Sequence, residues 1–527
     1  MKKTGFALFV LLFIQMNAYS QQSHAYEKEW EKIAVLEKQQ LIRSAWNEVN
    51  AIYKQAAAHH DDQQQVKALI YQMKYREQIE PNASVDNIRE ADSLTQKATG
   101  IPKAVLQSML AEMYRGYVNR HRYQLYGRLT SAGENTNDIT TWSLTHFYQV
   151  IADLYKASLR NETELKKTAL QKLQVIVDTG KNTLSLQPTL YDLLVHRALD
   201  YFTGEEQYVI KPAEHFIIDQ PVAFAAPAVF ADAHFEAKDT SSLPLSALYL
   251  YRDLIRFHLK DKDPDALMDV NLQRLQYVYR KAVMADKDSL YSDALERIMK
   301  GSYGKAVISQ AAYLLASYYY QQASLYNPLH HPGNRFDLKK TLEICETIPV
   351  KPITEGSVDC NRLRSDILSA DLSLQAEFVN VPHKPFRVLV SYKNVFHLYF
   401  RLIKLPDDPL TVFSDRSKNK DVLLKMPVYR QWEQAFPDRG DYRHHAAEMK
   451  ADGLPFGRYA LIVAGNKDFS GGKTPVESVE FFVSDMSYIN DNKGNYIIVN
   501  RETGNPVAGA KVTMWKTFYN ETKRKTD

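Results

Sequence analysis

The residues of this sequence that could do chemistry are few, and the two cysteines come first. Cys345 and Cys360 are its only cysteines, and they flank a proline-containing turn, "CETIPVKPITEGSVDC", between two stretches with helical periodicity. A disulfide between them would pin a short helical hairpin and contribute roughly 3 kcal/mol in the chain-entropy model. Two buried free thiols are the alternative, because free cysteine behaves as a small apolar residue. The sequence therefore predicts a Cys345–Cys360 disulfide that closes the last helical hairpin before the β-rich region, with two free thiols as the alternative.

Three pairs of adjacent histidines raise the question of a metal site. They are His59-His60, His330-His331 and His444-His445, and the first pair is followed by two aspartates. Adjacent residues on a helix do not face the same way, and no further His or Cys follows at a spacing that would complete a site. We therefore predict that these pairs are solvated polar surface and that no residue of the chain ligates a metal.

The usual catalytic motifs are also missing from the sequence. It contains no phosphate-binding G-x-x-x-x-G-K-[ST], no dinucleotide-binding G-x-G-x-x-G after a strand, no G-x-S-x-G and no H-E-x-x-H. Asp and Glu are abundant, but no spacing singles out a pair that would suit glycoside hydrolysis. We therefore predict no catalytic residue, no cofactor and no enzymatic activity.

Length and composition indicate an ordinary multidomain globular protein. The 527 residues suffice for several domains, and tyrosine is frequent, with 33 copies. The 66 basic residues nearly balance the 62 acidic ones and are interspersed with them. Because no basic stripe stands out, the sequence predicts no nucleic-acid partner.

The first twenty residues have the pattern of a secretory signal peptide. Lys2 and Lys3 precede the apolar run "FALFVLLFI", and Ala18-Tyr19-Ser20 places small residues before Gln21. An uncleaved anchor is the alternative, but the run is shorter than the roughly 20 residues that span a bilayer. We predict a signal peptide at 1–20 and an exported mature chain without a membrane span, located in the periplasm, in the cell envelope or outside the cell.

From residue 21 to about 370 the apolar period is helical. The pattern predicts helices at 84–99, 102–119, 141–159, 164–178, 188–202, 244–259, 264–285, 288–300 and 305–325. The stretch after Gly304 resembles a tetratricopeptide hairpin, so we predict an α-solenoid of irregular helical pairs. Residues 204–243 carry prolines among apolar residues and are predicted to form an extended excursion. A structural insertion and a loop lining a functional groove both remain open.

Near Asp371 the apolar period changes from helical to alternating. Runs such as "PFRVLVSYKN", "GRYALIVAG" and "ESVEFFVSD" predict an antiparallel β-sandwich over 371–486, with no clear strand pattern at 407–450. Residues 487–527 begin a further β-unit. There the turn Thr503-Gly504-Asn505-Pro506 is predicted to join "NYIIV" and "KVTMW" in a hairpin.

Three of these stretches carry a resemblance to a known family. "GLPFGRYALIVAG", "VEFFVSDMSYI" and "YIIVNRETGNPVAGAKVTMW" resemble the junction between macroglobulin-like domains of bacterial α2-macroglobulin-type proteins. "IPKAVLQSMLAEMYRGY" and "LQPTLYDLLVHRALDYF" are similar to the helical N-terminal region of members from Bacteroidetes-like bacteria. The hairpin alone is less specific, because carboxypeptidase-regulatory-like modules and TonB-dependent receptors share it. The order of elements covers nearly the whole chain.

The resemblance implies an exported endopeptidase inhibitor that traps proteases. Many members have a C-x-E-Q thioester, but Cys345 begins "CETI" and Cys360 begins "CNRL", so neither fits. The chain would then be an N-terminal fragment without trapping chemistry, 487–527 an incomplete MG2-type domain, and proteases the partners of the full-length protein. The alternative is an exported binding or assembly module of the cell envelope, with a peptide or envelope protein held on the helical array.

Overall fold

The computed structural model describes residues 26–513 and the short segments 519–520 and 525–526. Within 26–513 the residues left out are 60, 81–82, 128–134, 136–137, 178–179, 181, 205–215, 239–241, 350, 407–418 and 473. The chain divides into two compact units between Ile308 and Ser309. The signal peptide predicted at 1–20 lies outside the described residues.

The first unit is helical. Its helices are α1 (Glu27–Lys38), α2 (Ile42–Ala58), α3 (Asp62–Ile79), α4 (Ala83–Lys97), α5 (Gly100–Arg120), α6 (Arg122–Leu125), α7 (Leu144–Ser158), α8 (Glu162–Lys167), α9 (Thr183–Leu186), α10 (Leu190–Phe202), α11 (Pro227–Ala231), α12 (Leu243–His258), α13 (Asp265–Lys281) and α14 (Lys287–Met299). Helix α2 shows why they form: it buries Ala45, Val49, Ile52 and Ala56, which share one face at helical spacing. No helix among the described residues is long and apolar enough to cross a membrane.

The helix predicted at 164–178 is wrong. Helix α8 ends at Lys167 because the next residues bond to the chain just before α10 instead of continuing the helical ladder. The Leu190 amide donates to the Thr168 carbonyl at 2.8 Å, and the Leu170 amide donates to the Pro188 carbonyl at 2.9 Å. A short 3₁₀ turn, Leu170–Leu173, follows.

The proline-rich excursion at 204–243 contains more helix than predicted. Pro221 opens a 3₁₀ turn, Pro221–Phe224, and Pro227 opens α11. Proline is tolerated in the first turn of a helix because the amide it lacks has no partner there. The sequence interpretation treated these prolines as breakers, whereas two of them begin short helices.

In the second unit three helices precede two packed sheets. The helices are α15 (Lys305–Ala323), whose first turn lies in the first unit, α16 (Asp337–Glu346) and α17 (Glu355–Leu368). The strands are β1 (Asp371–Ala376), β2 (Val379–Asn380), β3 (Phe386–Lys393), β4 (His397–Leu405), β5 (Val428–Ala435), β6 (His445–Ala451), β7 (Gly457–Ala464) and β8 (Val476–Val483), with a short helix α18 (Asn419–Leu424) between β4 and β5. The chain is thus helical first and β-rich from Asp371 onward.

The two sheets share one core. Their strand orders are β1-β3-β6 and β2-β8-β7-β4-β5, antiparallel except for the β2–β8 pair. Val388 and Val390 from the first sheet pack in the same cluster as Phe400, Leu461 and Phe481 from the second. Alternation of buried and partly buried residues along β3 places one face of that strand on this core.

The stretch at 407–450, predicted to lack strands, contributes β5 and β6. Each lies at an edge of its sheet, and β5 is exposed along nearly its whole length. An edge strand with exposed side chains does not need an apolar alternation, so the sequence of β5, "VYRQWEQA", does not show one. Strand β6, "HAAEMKA", does alternate, and it places Ala447, Met449 and Ala451 on the core.

The hairpin predicted around 503–506 differs from the observed one. Strand β10 (Tyr496–Asn500) pairs backward with β9 (Met486–Asn490), and an isolated bridge from Val499 to Pro506 is the only pairing the structure gives it on the other side. Asn492 and Gly494 both have positive φ and form the tight turn between β9 and β10. Residues 511–513 form no strand, and 514–515 lie outside the described residues.

Candidate ligand-binding cleft

The structure brings the two cysteines together and leaves the histidine pairs apart. Cys345 and Cys360 are free thiols, both buried, in one apolar cluster between α16 and α17. His330 is exposed, and His445 bonds to Asp441 at 2.7 Å. Among the described residues no group of three His, Cys, Asp or Glu is arranged to hold a metal ion.

A cleft in the first unit has the size and lining of a binding site. Its volume is about 550 Å³, within the range of small-molecule pockets. The lining is mainly apolar. It comes from four elements: helix α7, the end of α10, the segment that follows α11, and helix α12. It comprises Lys156, Phe202, His234, Phe235, Glu236, Ala237, Leu245, Ser246, Tyr249 and Leu250.

One wall of the cleft is an extended segment held by the side chains of α12. The Tyr249 hydroxyl donates to the Phe235 carbonyl at 2.8 Å, and Arg252 donates to the Ala233 carbonyl at 3.5 Å. Arg256 donates to the Ala231 carbonyl. These three donors lie on one face of α12 at helical spacing, and their acceptors are every second residue from Ala231, at the end of α11, to Phe235. The wall is therefore fixed by side chain to backbone bonds without belonging to a sheet.

Buried and exposed side chains alternate along this wall. Ala233 and Phe235 are buried, whereas His234 and Glu236 are exposed. The Phe235 ring lies 6.2 Å from the Tyr249 ring in an edge-on arrangement, which is a favourable aromatic geometry. The wall thus supplies aromatic surface at the base of the cleft and polar side chains at its rim.

The opposite side of the cleft carries a cation over an aromatic ring. Phe202, the last residue of α10, is almost fully buried, and the Lys156 ammonium lies 5.7 Å from the centroid of its ring. Lys156 itself is exposed on α7. An exposed ammonium beside an apolar floor suits a ligand that has an apolar body and an anionic end.

A buried arginine holds the backbone of the 204–243 excursion a few residues before the wall. Arg274 on α13 is fully buried and donates to the carbonyls of Ala223 and Ala225, at 3.0 and 2.8 Å, and to Asn271 Oδ1 at 2.7 Å. Its guanidinium lies 4.1 Å from the ring centroid of Phe230. Burial lowers the pKa of Arg274 to about 9, so the side chain is still charged at neutral pH. Three neutral oxygens and one aromatic face stabilise this cation.

A second buried polar group joins the two helices that carry Phe202 and Tyr249. His258 at the end of α12 bonds through Nε2 to Asp192 Oδ1 on α10 and through Nδ1 to Asp261 Oδ2, each at 2.6 Å. Asp192 also accepts from Thr189 as the reciprocal partner in a capping box at the start of α10. Burial lowers the pKa of His258, but the hydrogen bonds and charges of the two aspartates outweigh that effect and raise it. The cleft is thereby built on helices that are cross-linked by a charged hydrogen bond.

Sequence reasoning missed this site, although it left open that residues 204–243 line a groove. The alternation in "FADAHFEA" would have indicated an extended, half-buried segment. The spacing of Tyr249, Arg252 and Arg256 would have indicated one polar face on α12. Nothing in the sequence, however, connects that face to carbonyls on a segment about twenty residues earlier.

Comparisons with known proteins do not supply a family. No family model matches the chain, and no curated protein does. Among solved structures, the chain is similar to Pseudomonas fluorescens alkylpurine DNA glycosylase AlkC bound to DNA containing an abasic site analogue. That match has 10% identity, covers 76% of this chain and 96% of the other, and has a TM-score of 0.18. A likeness at this level transfers neither fold nor function.

These comparisons correct the family prediction. The prediction of membership in the α2-macroglobulin-type family is wrong: no family model and no curated protein matches the chain. The endopeptidase inhibitor, its MG2-type domain, its protease partners and the alternative envelope module are wrong with it. The predictions of no enzymatic activity and of no nucleic-acid partner find no support in these comparisons and are withdrawn.

Proposed function

We propose that the first unit binds a small amphipathic molecule in the cleft between Phe202 and Tyr249. The ligand has an aromatic or branched aliphatic body and one anionic group. The body packs on Phe202, Phe235 and Leu245, and the anionic group pairs with Lys156. The observation that carries the proposal is a preorganised apolar cleft of about 550 Å³ with one exposed ammonium over its aromatic floor.

Preorganisation supports binding because it lowers the entropic cost of ordering the site. The wall at 231–235 is already bonded to α12, and its base is bonded to Arg274. Glu236 on the rim disfavours a ligand with a second negative charge nearby, since like charges repel. Together these features select a monoanion with a compact apolar group.

Export of the chain is proposed on the pattern of residues 1–20. A basic start, a short apolar run and small residues before Gln21 support it. The intact mass of protein recovered from the periplasm or the medium tests it. We expect a chain that begins at Gln21, and recovery with Met1–Ser20 attached would contradict the proposal.

We also propose that the helices form an α-solenoid. Contacts between helices that follow one another along the chain, α2 with α3 and α5 with α7, support this arrangement.

Anilinonaphthalene sulfonate is a suitable probe because it combines an aromatic body with one anionic group. We expect saturable binding to the full chain, followed by its fluorescence. Lys156→Glu reverses the charge at the rim and is expected to weaken binding about tenfold, equivalent to the roughly 1.4 kcal/mol of one charge-assisted contact. Ala237→Trp fills the cleft and is expected to abolish binding.

Two controls separate the cleft from other surfaces. Lys262→Glu makes the same charge change on an exposed lysine outside the cleft and is expected to leave the affinity unchanged. The hairpin of β9 and β10 exposes apolar side chains that would attract the same probe, including Ile489 and Ile497. If Ile497→Lys removes the fluorescence and Ala237→Trp does not, the cleft proposal is wrong.

A further inference from the structure

The two cysteines lie at the place where the last two helices of the second unit meet. Cys345 is near the end of α16, and Cys360 is in the second turn of α17. Both are buried in one apolar cluster with Ala316 and Leu363. Two thiols packed in one cluster between neighbouring helices are near enough for a bond to form with modest adjustment of the side chains.

The other ends of these helices are attached to the β-rich part of the unit. Arg443, in the loop before β6, donates to the carbonyls of Asn334 and Arg335 just before α16, at 2.7 and 2.9 Å. Asn394, in the turn between β3 and β4, donates to the carbonyl of Ile367 at the end of α17, at 2.7 Å. Each helix is thus bonded to the β-rich part near one end, and it packs against the other helix at its cysteine.

We propose that Cys345 and Cys360 are a redox pair whose oxidation clamps α16 to α17 and so stabilises the attachment of both helices to the sheets. The proposal is independent of the ligand in the cleft. A bond between the cysteines closes a ring that runs through α16, the sheets and α17, in addition to the short loop between the helices. Opening either attachment then requires the two helices to move as one body.

Exchange requires access to the sulfurs. Both are buried in the folded unit, so the exchange takes place while the helical hairpin folds or opens. Either cysteine can then attack first, as its thiolate, because the thiolate is the nucleophile in disulfide exchange.

The oxidant is a small-molecule disulfide. The thiolate of one cysteine attacks one sulfur of the oxidant and releases the other half as a thiolate, which leaves a mixed disulfide. The second cysteine loses its proton to water and attacks Sγ of the first cysteine, which releases the second half of the oxidant as a thiolate. Two electrons pass from the cysteines to the oxidant, so one disulfide in the protein replaces one disulfide in solution.

The test uses the full chain, refolded from urea with oxidised or with reduced glutathione. Alkylation under denaturing conditions followed by intact mass counts the free thiols. We expect none after oxidised glutathione and two after reduced glutathione. Two alkylated thiols in both samples, or a stable adduct with glutathione, would overturn the proposal.

Stability distinguishes a clamp from an incidental bond. The oxidised chain is expected to unfold at higher urea concentration than the reduced chain. Cys345→Ser combined with Cys360→Ser is expected to fold and to show one midpoint in both buffers. If the disulfide forms but the wild-type midpoint does not change, the clamp is refuted even though the bond exists.

Discussion

Two irregular segments of the molecule, one in each unit, are positioned by the same device but in different surroundings. In the first unit, Arg274 reaches from α13 to the carbonyls of Ala223 and Ala225 in the excursion before α12. In the second unit, Arg443 lies in the irregular segment itself and reaches out to the carbonyls of Ala323 and Asn334. In both, one guanidinium with several donors replaces the repeated hydrogen bonds of a helix or sheet.

The difference lies in burial and in the charges nearby. Arg274 is fully buried, and its acceptors are neutral oxygens. Arg443 is half-buried and lies beside the carboxylate of Asp441. That carboxylate accepts a hydrogen bond from Arg335 at 3.2 Å. Burial opposes ionisation of Asp441, but the hydrogen bonds from His445 and Arg335 outweigh it and lower the pKa of that carboxyl. The comparison teaches that the same contact contributes more where water cannot replace it.

The largest effect is expected from Arg274→Met. The substitution leaves three buried oxygens without a donor, so we expect a loss of about 3 kcal/mol in the free energy of unfolding. Urea unfolding of the full chain measures it. Arg280→Met, on an exposed position of the same helix, is the matched control and is expected to cost less than about 0.5 kcal/mol. Equal losses in the two variants would show that burial does not explain the role of Arg274.

A smaller effect is expected from Arg443→Met. Water can reach the carbonyls that this variant leaves unpaired, so the expected loss is about 1.5 kcal/mol, half of that for Arg274. Arg439→Met changes an exposed arginine in the same segment and serves as the control. Unfolding followed by near-ultraviolet circular dichroism gives the midpoints. A loss as large as that of Arg274→Met would remove the contrast between the two segments.

The free energy of unfolding is expected to depend on pH through His258, whose side chain bonds to Asp192 and Asp261. Because its folded-state pKa is raised, the folded chain holds this proton at pH values where the unfolded chain has released it. The stabilisation is complete below about 6.5, the usual pKa of histidine, and is lost as the pH rises through the higher folded value. We expect the free energy of unfolding to fall over that range, and less steeply in His258→Asn.

The control for this pH profile is His330→Asn, which changes an exposed histidine. Its profile is expected to follow that of the wild type. Two results would contradict a protonated His258 in the folded chain. One is a free energy of unfolding that rises with pH in the wild type over this range, and the other is the same slope against pH in His258→Asn as in the wild type.

The regular elements could be predicted from the sequence because their residues report local periodicity. The helices around 83–97 and 243–258 and the strands at 386–393 and 457–464 lie close to their predicted positions. The helix predicted at 164–178 failed because backbone bonds from Thr168 and Leu170 to the chain before α10 interrupt it. Local pattern does not encode such a pairing.

The cleft could not be predicted for the same reason. Its wall depends on Tyr249, Arg252 and Arg256 finding carbonyls in a segment with no secondary structure of its own. A side chain that bonds to a backbone oxygen places no demand on the residue type that carries the oxygen. Such contacts therefore leave no trace in the acceptor's sequence. The cysteines differ, since their type and spacing suggested a pair before the structure placed them together.

The central claim is that the cleft between Phe202 and Tyr249 is a binding site for an amphipathic anion. A crystal structure of the full chain grown with anilinonaphthalene sulfonate tests it most directly. The account predicts the aromatic rings of the probe against Phe202 and Phe235, with the sulfonate within hydrogen-bonding distance of Lys156 Nζ. An empty cleft at saturating probe, with density for the probe against Ile489 and Ile497, would contradict it.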